Sequence, residues 1–122
     1  MSDLITRTRA ALARGSGASS DFDLNPDVTL AAGRRLRPAA VLAPIIAGQD
    51  GYDLIQTKRS SALKHHPGQI AFPGGKQDEG DSDLIATALR ETQEEIGLPL
   101  GHVDVLGTFS AHETVTSFTV TP

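Results

Sequence analysis

Residues 82–96 constrain the fold of this chain more than any other segment, because period, start and stop agree there. Ile85, Leu89, Thr92 and Ile96 recur at the i, i+4, i+7, i+11 spacing of one helical face. Asp81 or Ser82 stands where a side-chain oxygen can cap the first amides. Gly97 follows where a left-handed residue ends a helix, and Pro99 prevents continuation. The spacing predicts a helix over 82–96 whose apolar stripe must be buried against another layer.

Strands elsewhere in the chain supply that layer. Residues 39–47 and 53–57 are apolar runs separated by Gly48-Gln49-Asp50-Gly51, which is hairpin chemistry. Pro44 inside the first run points to an edge or a bulge. Ile70-Ala71-Phe72 reads as a short strand ending at Pro73-Gly74-Gly75, and 76–80 as a polar loop. Val103 to Leu106 with Phe109 reads as a strand, and 115–121 alternates as another. Near the start, Leu4, Ile5, Ala11 and Leu12 share a helical face. Residues 15–20 break that helix, and 21–37 show no clear period. This order predicts an α/β sandwich with a mixed sheet, not a parallel βαβ array. It divides the chain into an N-terminal helix and linker, 1–37, and a folded domain, 38–122.

Composition narrows the function classes. A chain of 122 residues has room for one small domain. Its formal charge of −4 disfavours broad attraction to nucleic acid or to an anionic membrane. The local cluster Arg34, Arg35, Arg37 reads as a solvated surface or a phosphate contact. No apolar run is long enough to cross a membrane, and no signal peptide is readable, so the cytoplasm is the expected compartment. With no Cys there is no thiolate metal site and no Cys nucleophile.

The chemistry concentrates on the predicted helix. Glu91, Glu94 and Glu95 are related by i, i+3 and i+4, so they fall within an arc of about 100° beside the apolar stripe. Like charges so placed cost about 0.2–0.5 kcal/mol per pair. They also lie near the helix C-terminus, where negative charge is disfavoured. A divalent cation such as Mg²⁺ or Mn²⁺ resolves the crowding, since it accepts several hard oxygens and keeps waters for a phosphate. Arg90 can hold one carboxylate by a bidentate bond. The alternative is a solvated acidic helix face. Phe72-Pro73-Gly74-Gly75 leads into this helix, and its glycines allow positive φ or a close backbone approach. Adjacent His65 and His66 lack a third ligand at fixed spacing.

Strand, Gly-Gly loop and acidic helix in that order resemble the Nudix hydrolase family. Its signature is Gly, five residues, Glu, seven residues, then Arg-Glu-U-x-Glu-Glu-x-Gly-U, with U apolar. Arg90-Glu91-Thr92-Gln93-Glu94-Glu95-Ile96-Gly97-Leu98 matches the second half, with Thr92 at an apolar position. In the first half, Gly75 to Arg90 is one residue longer than the general box, and Ser82 stands where Glu is expected. Asp81 and Asp83 flank that position as replacements. The departure is similar to the coenzyme A diphosphatase branch. That branch carries a second motif, matched here by Ile55-Gln56-Thr57-Lys58-Arg59-Ser60, Lys64, Gly68 and Phe72-Pro73-Gly74-Gly75.

The resemblance implies a Nudix-type α/β/α sandwich and a metal-dependent diphosphohydrolase. Its partner would be a small nucleotide, coenzyme A or a derivative, cleaved to 4′-phosphopantetheine and 3′,5′-ADP. It implies Glu91 and Glu95 as ligands of Mg²⁺ or Mn²⁺, with Glu94 a further ligand or acting through water. Arg90 would orient the carboxylates. Arg59, Lys64, Gly74 and Gly75 would meet the substrate. Glu113, read in a loop between late strands, is a candidate base or a solvated loop residue. Two alternatives stand beside this reading, a nucleotide-binding module without turnover and a hydrolase of another nucleoside diphosphate derivative. Family members continue past the last strand with further strands and a second helix. The resemblance therefore implies a chain lacking its C-terminal elements, with exposed apolar surface and a tendency to associate.

Overall fold

A computed structural model describes residues 2–15, 17, 19–20, 36–58, 69–114 and 118–122. Its elements in chain order are α1 (Ser2–Arg14), β1 (Ser19–Ser20), β2 (Arg37–Val41), β3 (Ile45–Gly48), β4 (Gly51–Leu54), β5 (Thr57–Lys58), β6 (Ile70–Ala71), β7 (Gly74–Lys76), α2 (Leu84–Ile96), a 3₁₀ turn (Leu100–His102), β8 (His112–Glu113) and β9 (Phe118–Thr121). Five strands form a mixed sheet in the order β1-β8-β9-β2-β7. β2 is parallel to β9 and antiparallel to β7. Two hairpins, β3 with β4 and β5 with β6, stand beside it. This is the expected α/β architecture with a mixed sheet.

The predicted hairpin forms, with one change. Residues 39–47 are not one strand. Leu42 to Pro44 divide them, so the first part enters the large sheet as β2 and the second pairs with β4. Pro44 has no N–H for a ladder, and its carbonyl accepts from the Ile55 amide at 3.0 Å. The hairpin exposes Ile45, Ile46, Tyr52 and Leu54.

Three further expectations are corrected. Gly74 to Lys76 is a strand, not the start of a polar loop, because its register with Ala39 to Val41 completes the sheet edge beside β2. Residues 103–111 carry no strand among the described residues. The Arg9 to Asp104 ion pair at 3.6 Å and the close approach of Leu12 to Gly107 tie that segment to α1 instead. The cap of α2 is Asp83, whose Oδ1 accepts the Ala86 amide at 2.7 Å, in place of Asp81 or Ser82. The other end is as expected: Gly97 adopts φ 70°, and its amide donates to Gln93 O at 2.9 Å.

The helix meets the sheet through small residues. Ala39 and Ala40 on β2 and Ala88 on α2 are buried, as are Thr87 and Thr92. The expected stripe enters this contact only in part: Thr92 is fully buried, whereas Ile85 is 39% exposed. Thr92 sits in the interior with its hydroxyl donating to Ala88 O at 2.7 Å, which satisfies a polar group at an apolar position. The Arg37 guanidinium lies 4.3 Å from the centre of the Phe118 ring, and Arg34 and Arg35 lie outside the described residues.

Candidate active site

The site is built where α2 crosses β7. The close packing on Ala39, Ala40 and Ala88 sets the helix near the sheet, and glycines make the last clearance. A Cβ on Gly74 would strike Ala40 O and come within 2.6 Å of Val41 Cα, so this glycine permits the β2–β7 contact. A Cβ on Gly75 would lie 2.7 Å from Glu91 Cδ and 2.8 Å from its Oε1. The Glu91 carboxylate therefore occupies the space that the missing side chain leaves. Neither glycine has positive φ. They serve close approach and not a left-handed turn.

Arg90 organises the surrounding charges. Its Nε donates to Asp81 Oδ1 at 2.9 Å, and Nη2 donates to Asp81 Oδ2 at 3.0 Å and to Lys76 O at 3.2 Å. Nη1 donates to Glu91 Oε1 at 3.1 Å and to Glu94 Oε1 at 3.3 Å. Asp78 completes the ring with an oxygen 3.5 Å from Nη2. Every N–H of the guanidinium thus has an acceptor. The acceptors surrounding Arg90 push its proton affinity further up, Asp81 first among them.

Asp81 is the residue whose role the sequence did not disclose. Its side chain is 5% exposed. Besides the two Arg90 bonds, its Oδ2 accepts the Asp78 amide at 2.9 Å and lies 2.9 Å from the Thr87 hydroxyl. The Arg90 guanidinium first, then the Asp78 amide, hold the carboxyl well below the usual carboxylate range. Thr87 is fully buried. The available signal was the nine-residue separation, which carries Asp81 from the loop to Arg90 across the first turns of α2. Of the two flanking aspartates, Asp83 caps the helix and Asp81 grips Arg90.

The remaining candidates divide clearly. Glu94 lies against Arg90 with its side chain 59% exposed, and Glu95 is exposed on the same arc. Arg59, Lys64, His65 and His66 lie outside the described residues. Glu113 belongs to strand β8 and not to a loop. It is three strand spacings from β7, about 14 Å across the sheet. An apolar cavity of about 360 Å³ lies between α1, α2 and residues 102–109. Ile85, Ala88 and Leu89 line it and none of the three glutamates does, so it opens on the other side of the helix. Among the described residues no three His, Asp or Glu side chains converge as a metal cage, and no helix is long and apolar enough to cross a membrane.

Known proteins share this arrangement of sequence. The NUDIX domain family matches residues 36–122. A protein of Cronobacter sakazakii named Uncharacterized Nudix hydrolase NudL is 49% identical over 86 residues, covering 70% of this chain and 44% of the relative. The protein of that name from Pectobacterium atrosepticum is 45% identical over 101 residues, covering 83% and 52%. One from Klebsiella aerogenes is 49% identical over 87 residues, covering 70% and 71%. The chain thus spans about half the length of the first two. The family match takes in β2, β7 and α2, the elements that seat Glu91 on Gly75, and the chain belongs to the Nudix family.

Proposed function

We propose that this chain is a divalent-metal-dependent diphosphohydrolase, and that its substrate is coenzyme A or a derivative. The observation that carries the reading is the seat of the Glu91 carboxylate on the Gly75 backbone, with Arg90 bridging it to Glu94. A helix held only for packing has no reason to keep a glycine beneath a carboxylate. Nor has it reason to crowd two more carboxylates onto its C-terminal turns.

The donor set fits a hard cation. Family members generally use Mg²⁺ or Mn²⁺. Mg²⁺ keeps several waters and binds through one or two carboxylates plus substrate phosphates, so it needs no closed protein cage. Glu91 and Glu95 would hold it, with Glu94 as a further ligand or acting through water. When bound, the cation polarises phosphoryl oxygens and lowers the pKa of water. Arg90 orients Glu91 and Glu94. Gly74 and Gly75 serve the site by letting β2 and Glu91 come close to β7, and Arg59 and Lys64 meet the negative charge of the diphosphate. Water adds to one phosphorus, the bridging P–O bond breaks, and two phosphomonoesters leave. The branch assignment rests on the motif from Ile55 to Gly75.

The test is incubation with Mg²⁺ or Mn²⁺ and a panel of coenzyme A, NADH, ADP-ribose and dinucleoside polyphosphates, read by chromatography and mass. The expected products from coenzyme A are 4′-phosphopantetheine and 3′,5′-ADP. Glu91→Gln and Glu95→Gln should each lower turnover about 100-fold or more. Binding without metal-dependent products would sink the hydrolase reading in favour of a binding module.

A further inference from the structure

The four contacts on Asp81 carry an inference that deepens the proposed metal-dependent reading and rests on it. A carboxylate offers about four lone-pair positions. Oδ2 takes three contacts, from Arg90 Nη2, the Asp78 amide and the Thr87 hydroxyl at 3.0, 2.9 and 2.9 Å, and Oδ1 takes one, from Arg90 Nε at 2.9 Å. Both Asp81 oxygens are thus engaged by protein donors and the side chain is 5% exposed, so its place is on Arg90 and not on a cation, although it lies beside the position where the family box leads one to expect a carboxylate. Its effect on the glutamates passes through Arg90. With Nε and Nη2 gripped, the guanidinium plane is fixed and only the Nη1 edge reaches Glu91 and Glu94. Released, the same cation is free to turn its fork onto Glu91, where it competes with any bound metal for the carboxylate.

We propose that Asp81 is a positioning residue that sets the divalent-metal affinity of the Glu91–Glu94 pair by restraining Arg90, without touching the metal. Thr87 supports the same grip from inside the helix, since it is fully buried and its hydroxyl meets Asp81 Oδ2.

The experiment is a titration with Mn²⁺, with free ion read by electron paramagnetic resonance, on the full chain and on Asp81→Asn, Arg90→Gln and the double variant. Thermal melts accompany it. Removal of an outer-shell partner typically weakens metal binding 10- to 100-fold, so Asp81→Asn should lose roughly tenfold. Turnover should fall at limiting Mn²⁺ and recover at saturating Mn²⁺, which a merely structural defect would not show. In the Arg90→Gln background Asp81→Asn should have less than about a twofold effect, because the residue it acts through is gone. Thr87→Val, which loosens the grip while leaving both charges, should weaken Mn²⁺ binding in the same direction; it answers the question if Asp81→Asn does not melt cooperatively. Parental affinity in folded Asp81→Asn, or in Thr87→Val where Asp81→Asn fails to fold, overturns the role. So does an undiminished effect of Asp81→Asn without Arg90. If the parent chain binds no Mn²⁺, the diphosphohydrolase reading fails and takes this role with it. If the parent binds and turns over while the variants match it, only the role of Asp81 fails.

Discussion

Gly75→Ala separates the fold from the chemistry, because the obstacle it meets is a side chain. The added methyl would lie 2.7 Å from Glu91 Cδ, 2.8 Å from Oε1 and 3.0 Å from Oε2. Carbon contacts prefer about 3.5–4.0 Å, so the carboxylate must retreat by about 1 Å. Its retreat strains the 3.1 Å bond to Arg90 and lifts Glu91 off β7. The backbone need not move, so the cost to stability should be about 1 kcal/mol, the low end of overpacking. A 1 Å misplacement of a functional group can cost about 100-fold in rate. Gly74→Ala is the control with the opposite signature. Its methyl would strike Ala40 O and approach Val41 Cα at 2.6 Å, both backbone atoms of a central strand. There the strand pairing must open, at about 3 kcal/mol or more. At about 4 °C per kcal/mol, Gly74→Ala should melt roughly 10 °C or more below the parent, and Gly75→Ala about 4 °C below. Both melts and the initial rate of metal-dependent cleavage are read on the same preparations. A Gly75→Ala protein with parental melting and parental turnover would refute the placement of Glu91 as the working carboxylate.

Other expectations follow from single contacts. Asp83→Ala removes the acceptor of the Ala86 amide and should cost about 1 kcal/mol in a denaturant titration. Thr92→Val should be close to neutral in the same titration, within about 1 kcal/mol, because Ala88 O keeps its helical partner and the shape is retained. The Asp81 carboxyl is held below its ordinary value, so its contribution is present in full above the unfolded value near 4 and is lost as pH falls below it. The melting difference between the parent and Asp81→Asn should therefore narrow from pH 7 toward pH 3, and a gap that widens in acid contradicts the assigned grip. Chelation with EDTA should abolish cleavage, and added Mg²⁺ or Mn²⁺ should restore it.

Local signals carried much of the fold. Gly97 and Pro99 marked the end of α2 because a left-handed cap and a missing N–H act within one turn. Gly48 to Gly51 marked the β3–β4 hairpin for the same reason. Val103 to Leu106 with Phe109 misled because an apolar segment reports only that it packs, and here it packs on α1 near Leu12, with Arg9 pairing to Asp104, and not on a neighbouring strand. β7 was missed because Gly74 and Gly75 carry no apolar signal, and their pairing with Ala40 and Val41 is a tertiary event. The carboxylates were legible because three like charges on one turn conflict with local stability. The Asp81–Arg90 grip was not, since an aspartate in a polar loop already satisfies every local rule.

The rotation of α2 is what joins the fold to the site. At 100° per residue, the stripe of Ile85, Leu89, Thr92 and Ile96 centres about 80° away from the face made by Thr87, Ala88 and Thr92. Had the large stripe faced the sheet, Glu91 would sit about 130° from the contact and point to solvent. Facing the sheet with small residues instead, the helix brings Glu91 to within about 50° of the contact, over β7. Ala39 and Ala40 on the sheet side complete a thin interface, and Gly75 removes the last obstacle. Ile85 and Leu89 of that stripe then line the apolar cavity beside α1, so one helix serves an apolar packing surface and a carboxylate array at once. Enlarging the interface tests this directly. Ala88→Leu should push α2 from β2, cost about 1–3 kcal/mol, and lower turnover by moving Glu91 although residue 88 bears no charge. Ala86→Leu, on the same helix but away from the buried set, should leave both melting and turnover near parental. Equal behaviour of the two variants would show that the small-residue contact does not place the carboxylate.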